Sequence, residues 1–372
     1  MSTTQSTLRL IVATPYGRHG RGGIDRLTDL IIDTIDQRGD LGVKAERLVT
    51  RGQKSKYWGV VVFAQALIQF CVAAGGGKVD LIHFQLAWRG SAYRKLIIAA
   101  IARHFGVPYV VHLHAGQFDQ FWASAGTYLR RSINRLFVDS AAIIVLGDYG
   151  ARVILDRLPG LRDKITILPN ASTSPGQPNL GRSESGQIRI TFLGFLEPDK
   201  GVPQLVDALG QLACRTDWTA TIAGSGEIEQ TRDQAERLKI AHRVDFPGWL
   251  SSSETAALLQ QTDILTLPSF VESLPMAVIE AFAYGIAVVA TPVGAVPEVV
   301  AHERNGLLVP VGDAAALANA LNRLLEDRAL RLRLGGAACR DHAERYEINA
   351  YMKRLVPIWR KAARCREPET RS

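Results

Sequence analysis

The sequence predicts an α/β protein of two doubly wound parallel-sheet domains, and three observations carry that prediction. Short apolar runs rich in β-branched residues alternate with longer stretches of helical spacing from one end to the other. The alternation breaks once, at residues 171–187, "ASTSPGQPNLGRSESGQ", a Pro, Gly, Ser and Asn stretch that reads as an interdomain linker. The 372 residues exceed what one ordinary core serves, and they suit two domains of about 150 to 200 residues each.

In the first half, "LRLIVAT", "DLIHF", "PYVVHLH", "AAIIVLG" and "KITILP" have strand length, and helical segments separate them. Beyond the linker the rhythm restarts with "IRITFLG", "WTATIAG", "RVDFPG", "DILTLPS", "AVVATP" and "GLLVPV". Runs apolar throughout, joined by helical crossovers, belong to parallel sheets covered on both faces. The expected division is a first Rossmann-like domain at 1–172, a linker at 173–187, a second such domain at 188–347, and a helix within 348–372 that crosses back to the first domain and ends in a disordered tail. Disorder is also expected over Met1 to Thr7. Ligands of paired sheets of this kind bind at the carboxyl ends of the strands, in the cleft between the domains.

With 47% hydrophobic and 22% charged residues and no low-complexity tract, the chain is expected to be globular. Cys71, Cys214, Cys339 and Cys365 are scattered without a CxxC pair, which argues against a disulfide framework or structural zinc and for a reducing, cytoplasmic setting. The N-terminus lacks a basic region followed by a long apolar one, so no signal peptide is expected. The apolar stretch "GVVVFAQALIQFCVAAGGG" ends in glycines within about 16 residues, short of the roughly 20 that a spanning helix needs, and reads as a buried or partly exposed helix. Net charge is +8, and residues 1–180 carry 22 Lys+Arg against 12 Asp+Glu, so the positive charge belongs to the first half. Such a half suits a polyanionic partner: nucleic acid, an anionic membrane leaflet or a phosphorylated acceptor.

Two carboxylates stand out in "SFVESLPMAVIEA". Glu272 follows the strand "DILTLPS", and Glu280 lies about one and a half turns into a helix that begins near Pro275, with Ser273 as its cap and Gly285 as its stop. The helix start is an anion site, and carboxylates accept hydrogen bonds from paired sugar hydroxyls. A diphosphate flanked by two hydroxyl-bearing rings would use all three. A glycine-rich loop at Gly22 and Gly23 follows the first strand, and His112 and His114 close "PYVVHLH", where His112 is expected to face away from His114. His83 is a further cleft candidate.

The E-x7-E spacing with its sequel "AFAYGIAVVATPVGAVPEVV" resembles the donor-binding signature of retaining glycosyltransferases of family 4, which have the GT-B fold. "GRGGIDR", "VVHLHAG", "LPNA", "FLGFLEPDKG" and "IAGSGE" extend the likeness over nearly the whole chain. The resemblance implies hexose transfer, with retention, from a nucleotide-diphosphate sugar to a glycan acceptor. It implies that Glu280 binds the ribose, that Glu272 contacts donor-sugar hydroxyls, and that Ser273, Leu274 and Pro275 supply amides. Lys200 would hold the diphosphate, Gly22 and Gly23 would let the backbone approach it, and His114 would contact the donor sugar near the reacting centre. Asn170 and Gly224, within "LPNA" and "IAGSGE", are further candidates.

Phe195 stands where the family often has arginine, so Arg18 or Arg21 is expected to reach the diphosphate instead. No Asp-x-Asp triplet occurs, and neither a metal nor another cofactor is expected. Retention is expected by a front-face route in which the departing phosphate helps deprotonate the acceptor. The basic first half points to a polyprenyl-diphosphate-linked acceptor at the inner leaflet. Arg51, Lys54, Lys56, Tyr57 and Trp58 form an interfacial cluster there, with no nucleic acid as partner. Exopolysaccharide or related surface-glycan assembly follows, with a mannosyl donor suggested by "GRGGIDRL". A nucleotide-sugar epimerase, a phosphorylase with a lysine-bound pyridoxal cofactor and a basic nucleic-acid module are the alternatives.

Overall fold

The computed structural model describes residues 6–20, 22–52, 56–114, 116–176 and 186–365, apart from the side chains of Lys56 and Tyr57. Arg21, Lys54, most of the linker and the C-terminal tail lie outside the described residues. The chain divides into two compact units, one of Met1–Pro169 with Ile348–Ser372 and one of Asn170–Glu347.

The first unit runs β1 (Leu8–Thr14), α1 (Gly23–Gln37), β2 (Val43–Val49), α2 (Lys56–Gly75), β3 (Leu81–Leu86) and α3 (Gly90–His104). It continues with β4 (Tyr109–Leu113), α4 (Phe118–Ala123), α5 (Thr127–Val138), β5 (Ala142–Val145), α6 (Asp148–Leu155) and β6 (Ile165–Ile167). Its six strands form one parallel sheet in the order β2-β1-β3-β4-β5-β6. β2 is absent from the sequence expectation because Lys44, Glu46 and Arg47 interrupt "VKAERLV". It is an edge strand, half covered, so it needs no continuous apolar run.

The second unit holds β7 (Ile188–Leu193), α7 (Val202–Gln211), β8 (Trp218–Ala223), α8 (Ile228–Arg237), β9 (Val244–Gly248), α9 (Ser252–Gln261) and β10 (Ile264–Leu267). After these come α10 (Met276–Ala283), β11 (Ala287–Ala290), α11 (Val296–Val299), β12 (Leu307–Leu308), α12 (Ala314–Glu326) and α13 (Arg328–Asp341). The parallel sheet has the order β12-β11-β10-β7-β8-β9, which reverses direction between β7 and β10. The doubly wound α/β expectation therefore holds for both units.

α14 (Ile348–Arg364) belongs to the first unit, where it packs on α1, β3 and β4. Tyr351, Leu355 and Trp359, spaced four apart, are buried along one stripe. Arg360 donates to the carbonyls of Leu41 and Gly42, and Arg354 to that of Ile167.

α2 departs from its expectation. It is a 20-residue helix, and Trp58–Gly75 within it is long and apolar enough to cross a membrane. Only 17% of that stretch is buried. The buried part, Ala66, Phe70 and Ala74, joins a core shared with α3, α5 and one face of the sheet.

Candidate functional site

In an open parallel sheet the loops diverge on either side of the point where strand order reverses, and the opening lies at the carboxyl ends of the two strands there. In the second unit those strands are β7 and β10, and the loops that follow them carry Lys200 and Glu272. Lys200 Nζ lies 2.9 Å from Glu272 Oε1, which also accepts from the Ser269 hydroxyl at 2.9 Å. Lys200 also donates to the Val271 carbonyl, and Phe270 N donates to Asp199 O. Both charged side chains keep some exposure, 21% for the lysine and 12% for the glutamate, so the pair is reachable from solvent.

Glycines close the main chain at the strand ends of this unit, with Gly201 beside Lys200 and Gly294 against the Glu272 backbone. Gly201 has φ +70°, and a Cβ there would stand 2.0 Å from the Pro268 carbonyl oxygen. At Gly294, φ +57°, it would stand 2.1 Å from Glu272 O, and at Gly224, φ +155°, 1.6 Å from Gly194 O. No side chain fits at such distances, so the strand-end loops close on one another through main chain alone. Ala295 N donates to Ser273 O, and the buried Asn170 donates from its amide to Leu274 O at 2.7 Å. Asn170 and Gly224 are thus parts of the framework that fixes the glutamate loop.

α10 starts at Met276 with Pro275 as its N-cap and no side-chain cap bond, so Ser273 is not the cap. Nor can Pro275 offer an amide, since it has no N–H. Gly285, φ +66°, ends the helix as expected. Glu280 is half-buried, five residues into the helix by chain order. Phe195, at the position where a cation was missed, packs its ring 5.7 Å from that of Trp249, centroid to centroid. The carboxyl edges of β7 and β9 therefore share an aromatic pair.

The first unit closes its strand ends differently. Gly22 has φ +141° and precedes α1, which starts at Gly23; a Cβ on Gly22 would meet nothing within 4 Å. The loop before them is held by Asp25, which is 1% exposed and accepts from Thr14 Oγ1 and Tyr16 N. Burial raises the pKa of Asp25 against the lowering effect of those bonds. Arg18 is paired with Asp33 of α1 at 2.8 Å, so its charge is already engaged, and Arg21 lies outside the described residues.

The histidines form a chain. Trp359 Nε1 of α14 donates to His83 Nδ1 at 2.8 Å, and His83 Nε2 lies 3.3 Å from His112 Nδ1. An indole nitrogen only donates, so neutral His83 carries its proton on Nε2 and passes a hydrogen bond to His112, leaving His112 protonated on Nε2. His112 and His114 are two residues apart and share a face, with ring centroids 3.9 Å apart. The expectation that they diverge is corrected by the two-residue period of a strand, which turns neighbours, not next-neighbours, to opposite faces.

Burial pushes His83 and His114 down to about 3, with neighbouring charge adding to the effect on His114, and His112 lies well below its ordinary value for the same first reason. These rings are therefore uncharged at neutral pH and serve as hydrogen-bonding groups. His83 is 0% exposed and belongs to this buried chain, so it is not an open ligand contact.

Sequence reading passed over Asp25, Lys95 and Trp359. Lys95 is fully buried on α3, between the Thr50 and Ser91 hydroxyls, and burial, aided by Arg94, brings it down to about 7. Its signal was available: Lys95 falls in the buried spacing Ser91, Ala92, Lys95, Ile98, Ala99, Ala102 of an apolar helix face.

Residues 178–341 match the family model of glycosyl transferases group 1, and residues 12–171 match that of a glycosyl transferase 4-like domain. The chain is 33% identical to a D-inositol 3-phosphate glycosyltransferase of Corynebacterium efficiens over 329 residues, 82% of this chain and 76% of that one. It is 34% identical to a phosphatidyl-myo-inositol mannosyltransferase of Mycobacterium leprae over 202 residues. That match takes in 54% of this chain and 52% of the relative, so the chain spans about half that relative's length. Among solved structures, a sucrose-phosphate synthase from Thermosynechococcus elongatus superposes with a TM-score of 0.75 at 17% identity, covering 95% of this chain and 98% of the other. The Anabaena protein HepE, solved with UDP-glucose, superposes with a TM-score of 0.73 at 19% identity, covering 94% and 98%.

Proposed function

The chain belongs to the glycosyl transferases group 1, with a glycosyl transferase 4-like first unit and the GT-B fold, and from that premise we propose that it moves a hexose from a nucleotide-diphosphate sugar to a lipid-linked glycan acceptor, with retention and without a metal. The observation that carries this reading is the Lys200–Glu272 pair at the strand-order reversal of the second unit, 2.9 Å apart, with Gly201 beside the lysine and Gly294 against the Glu272 backbone. A diphosphate arriving there meets a compact ammonium and close main chain, while Glu272 is left to accept from sugar hydroxyls. Glu280, eight positions on, takes the ribose. The Phe195–Trp249 pair offers a face for the base, which explains why an aromatic ring stands at Phe195.

In the reaction the bond from the anomeric carbon to the diphosphate breaks, and the acceptor oxygen bonds to the same face of that carbon. The acceptor's proton passes to the departing diphosphate oxygen, whose charge Lys200 neutralises. His114, uncharged, donates to or accepts from a donor-sugar hydroxyl. The names of the mycobacterial and corynebacterial relatives support a mannosyl donor and a lipid or inositol class of acceptor, and the basic first half supports action at an anionic leaflet in surface-glycan assembly.

A panel of GDP-mannose, UDP-glucose, UDP-galactose, UDP-N-acetylglucosamine and UDP-glucuronate, titrated in excess chelator against wild type and Glu280→Ala, tests the donor site. One donor is expected to bind and to be slowly hydrolysed, with an α-configured product by NMR, and the substitution is expected to weaken it at least tenfold. No binding by any of the five sinks the reading. A free epimerised sugar as product would make the chain an epimerase.

A further inference from the structure

The helices α2, α3 and α5 cover one face of the first sheet and share one apolar core with it. Those three helices span 20, 15 and 12 residues and hold no aspartate or glutamate, whereas α1, on the other side of the first sheet strand, holds Asp25, Asp29, Asp33 and Asp36. The same three helices carry Arg94, Arg103, Arg130, Arg131 and Arg135 beside the buried Lys95, and the acid that follows α5, Asp139, pairs with Arg103 and Arg135. One layer of the unit is thus segregated by charge.

Its middle is segregated by polarity as well. The outward positions of α2 include Trp58, Val60, Val61, Ile68 and Val72 with Gln65 and Gln69 among them, and Val60, Ile68 and Val72 are 66–70% exposed. Exposed Tyr93 and Ile97 extend the strip onto the neighbouring α3. A helix without a charged residue beyond its first turn, and with large apolar side chains on its outward side, is at home where that side is also largely dry. The inward side of α2 packs on the core, and the outward side faces solvent in an isolated chain. An exposed apolar strip of that length marks a contact surface.

We propose that the α2–α3–α5 layer is the face by which this protein docks on an anionic lipid bilayer. α2 would lie in the plane of the interface with its valines and Ile68 at the acyl boundary, and the arginines of α5 and Lys78, just beyond α2, would reach the headgroups. α2 does not cross the bilayer, although it is long enough. It is the crossover between β2 and β3, and its inner residues Ala66, Phe70 and Ala74 are fixed in the common core, so leaving the sheet would open that core. A bilayer suits the layer better than a second copy of the chain does. Arginines outnumber Asp139 on this layer, so two copies of it repel one another, whereas an anionic surface attracts it. The inference rests on the lipid-linked acceptor reading only in giving that acceptor a surface to be reached from; the observations that carry it are independent.

The test is co-sedimentation of the full chain with phosphatidylcholine vesicles, with and without about one third phosphatidylglycerol, at two salt concentrations. Hydrogen–deuterium exchange is read in parallel. Wild type is expected to bind the anionic vesicles, with binding lowered at least tenfold by high salt and new protection confined to α2 and α3. The double variant Ile68→Glu, Val72→Glu, both at exposed positions, is expected to lose binding tenfold or more and to keep its melting temperature. Arg131→Gln with Lys78→Gln should weaken binding to anionic vesicles alone.

Wild type remaining in the supernatant overturns the proposal. So does equal binding by the double glutamate variant, or a concentration-dependent dimer that the variant converts to monomer. Donor hydrolysis, measured on the same variants without vesicles, separates the two readings. If hydrolysis is intact and vesicle binding is absent, the docking face fails alone; if vesicle binding is intact and no donor is turned over, the transferase reading fails alone.

Discussion

The two units share a sheet architecture and build their strand ends by opposite means. In the second unit the edge is made of main chain: Gly201, Gly224 and Gly294 bring carbonyls within a distance that no Cβ tolerates, and the charged pair Lys200 and Glu272 stands in the space so shaped. In the first unit the edge is made of buried side chains, with Asp25, His83, His112 and Lys95 withdrawn from solvent and Gly22 in open space. A ligand with two phosphates needs close amides and an available cation, which backbone supplies best. A neutral sugar needs fixed donors and acceptors, which buried uncharged rings supply. On the proposed reading, two similar sheets thus serve different parts of one donor.

The contrast breaks or sharpens first on glycine. Gly224→Ala is expected to cost more than about 4 kcal/mol, seen as loss of soluble protein or a large fall in melting temperature, because the new methyl meets Gly194 O. Gly22→Ala, strained in φ but uncrowded, should cost about 1–2 kcal/mol. Equal losses at both positions would remove the distinction.

Lys200→Ala should lower turnover of the donor found in the panel about 100-fold to 1000-fold with little change in melting temperature. A fall in stability without a change in turnover would make the pair with Glu272 structural.

The pH dependence reads the buried edge of the first unit. Lys95 sits at about 7 in the fold against lysine's ordinary 10.5, so the unfolded chain binds more protons between those values and stability rises with pH across that window. Lys95→Met should flatten this limb, a change on the order of 3–4 kcal/mol between denaturant titrations at pH 7 and 10. On the acid side His83 and His114, at about 3 against 6.5, take up protons on unfolding, so stability falls as pH drops from 6.5 toward 3. An acid limb with no histidine uptake in calorimetry would contradict their burial.

The smallest effect is expected at Trp359→Phe, about 1 kcal/mol. The informative readout is the nitrogen shift of His83, which should show the second tautomer once Nδ1 no longer accepts a bond. An unchanged tautomer would mean that His112 alone fixes it.

Much of this was legible beforehand. Ten of the strands that form the sheets stand in the sequence as apolar runs, as do β12 in outline and the placement of Glu272 and Glu280 around a helix start. The period that places a strand is local, and so is the Gly, Pro and Ser chemistry that ends it. β2 escaped because an edge strand is covered on too little of its surface to need a continuous apolar run. Ser273 was misplaced as the cap because a proline one position before the helix serves without a side-chain bond.

The chain's own residues carry the class of fold, its repetition, the spacing of Glu272 and Glu280 and the excess of positive charge in the first half. Only the tertiary structure decided that Lys200 meets Glu272, 72 residues away, across two neighbouring strands. It alone joined Trp359 to His83, 276 residues apart, and turned the bare side of α2 outward. The physical reason is that periodicity and turn chemistry act over a few residues of chain. Ion pairs, tautomers and exposure depend on which strands become neighbours, and that is settled by strand order and by the burial of each sheet face.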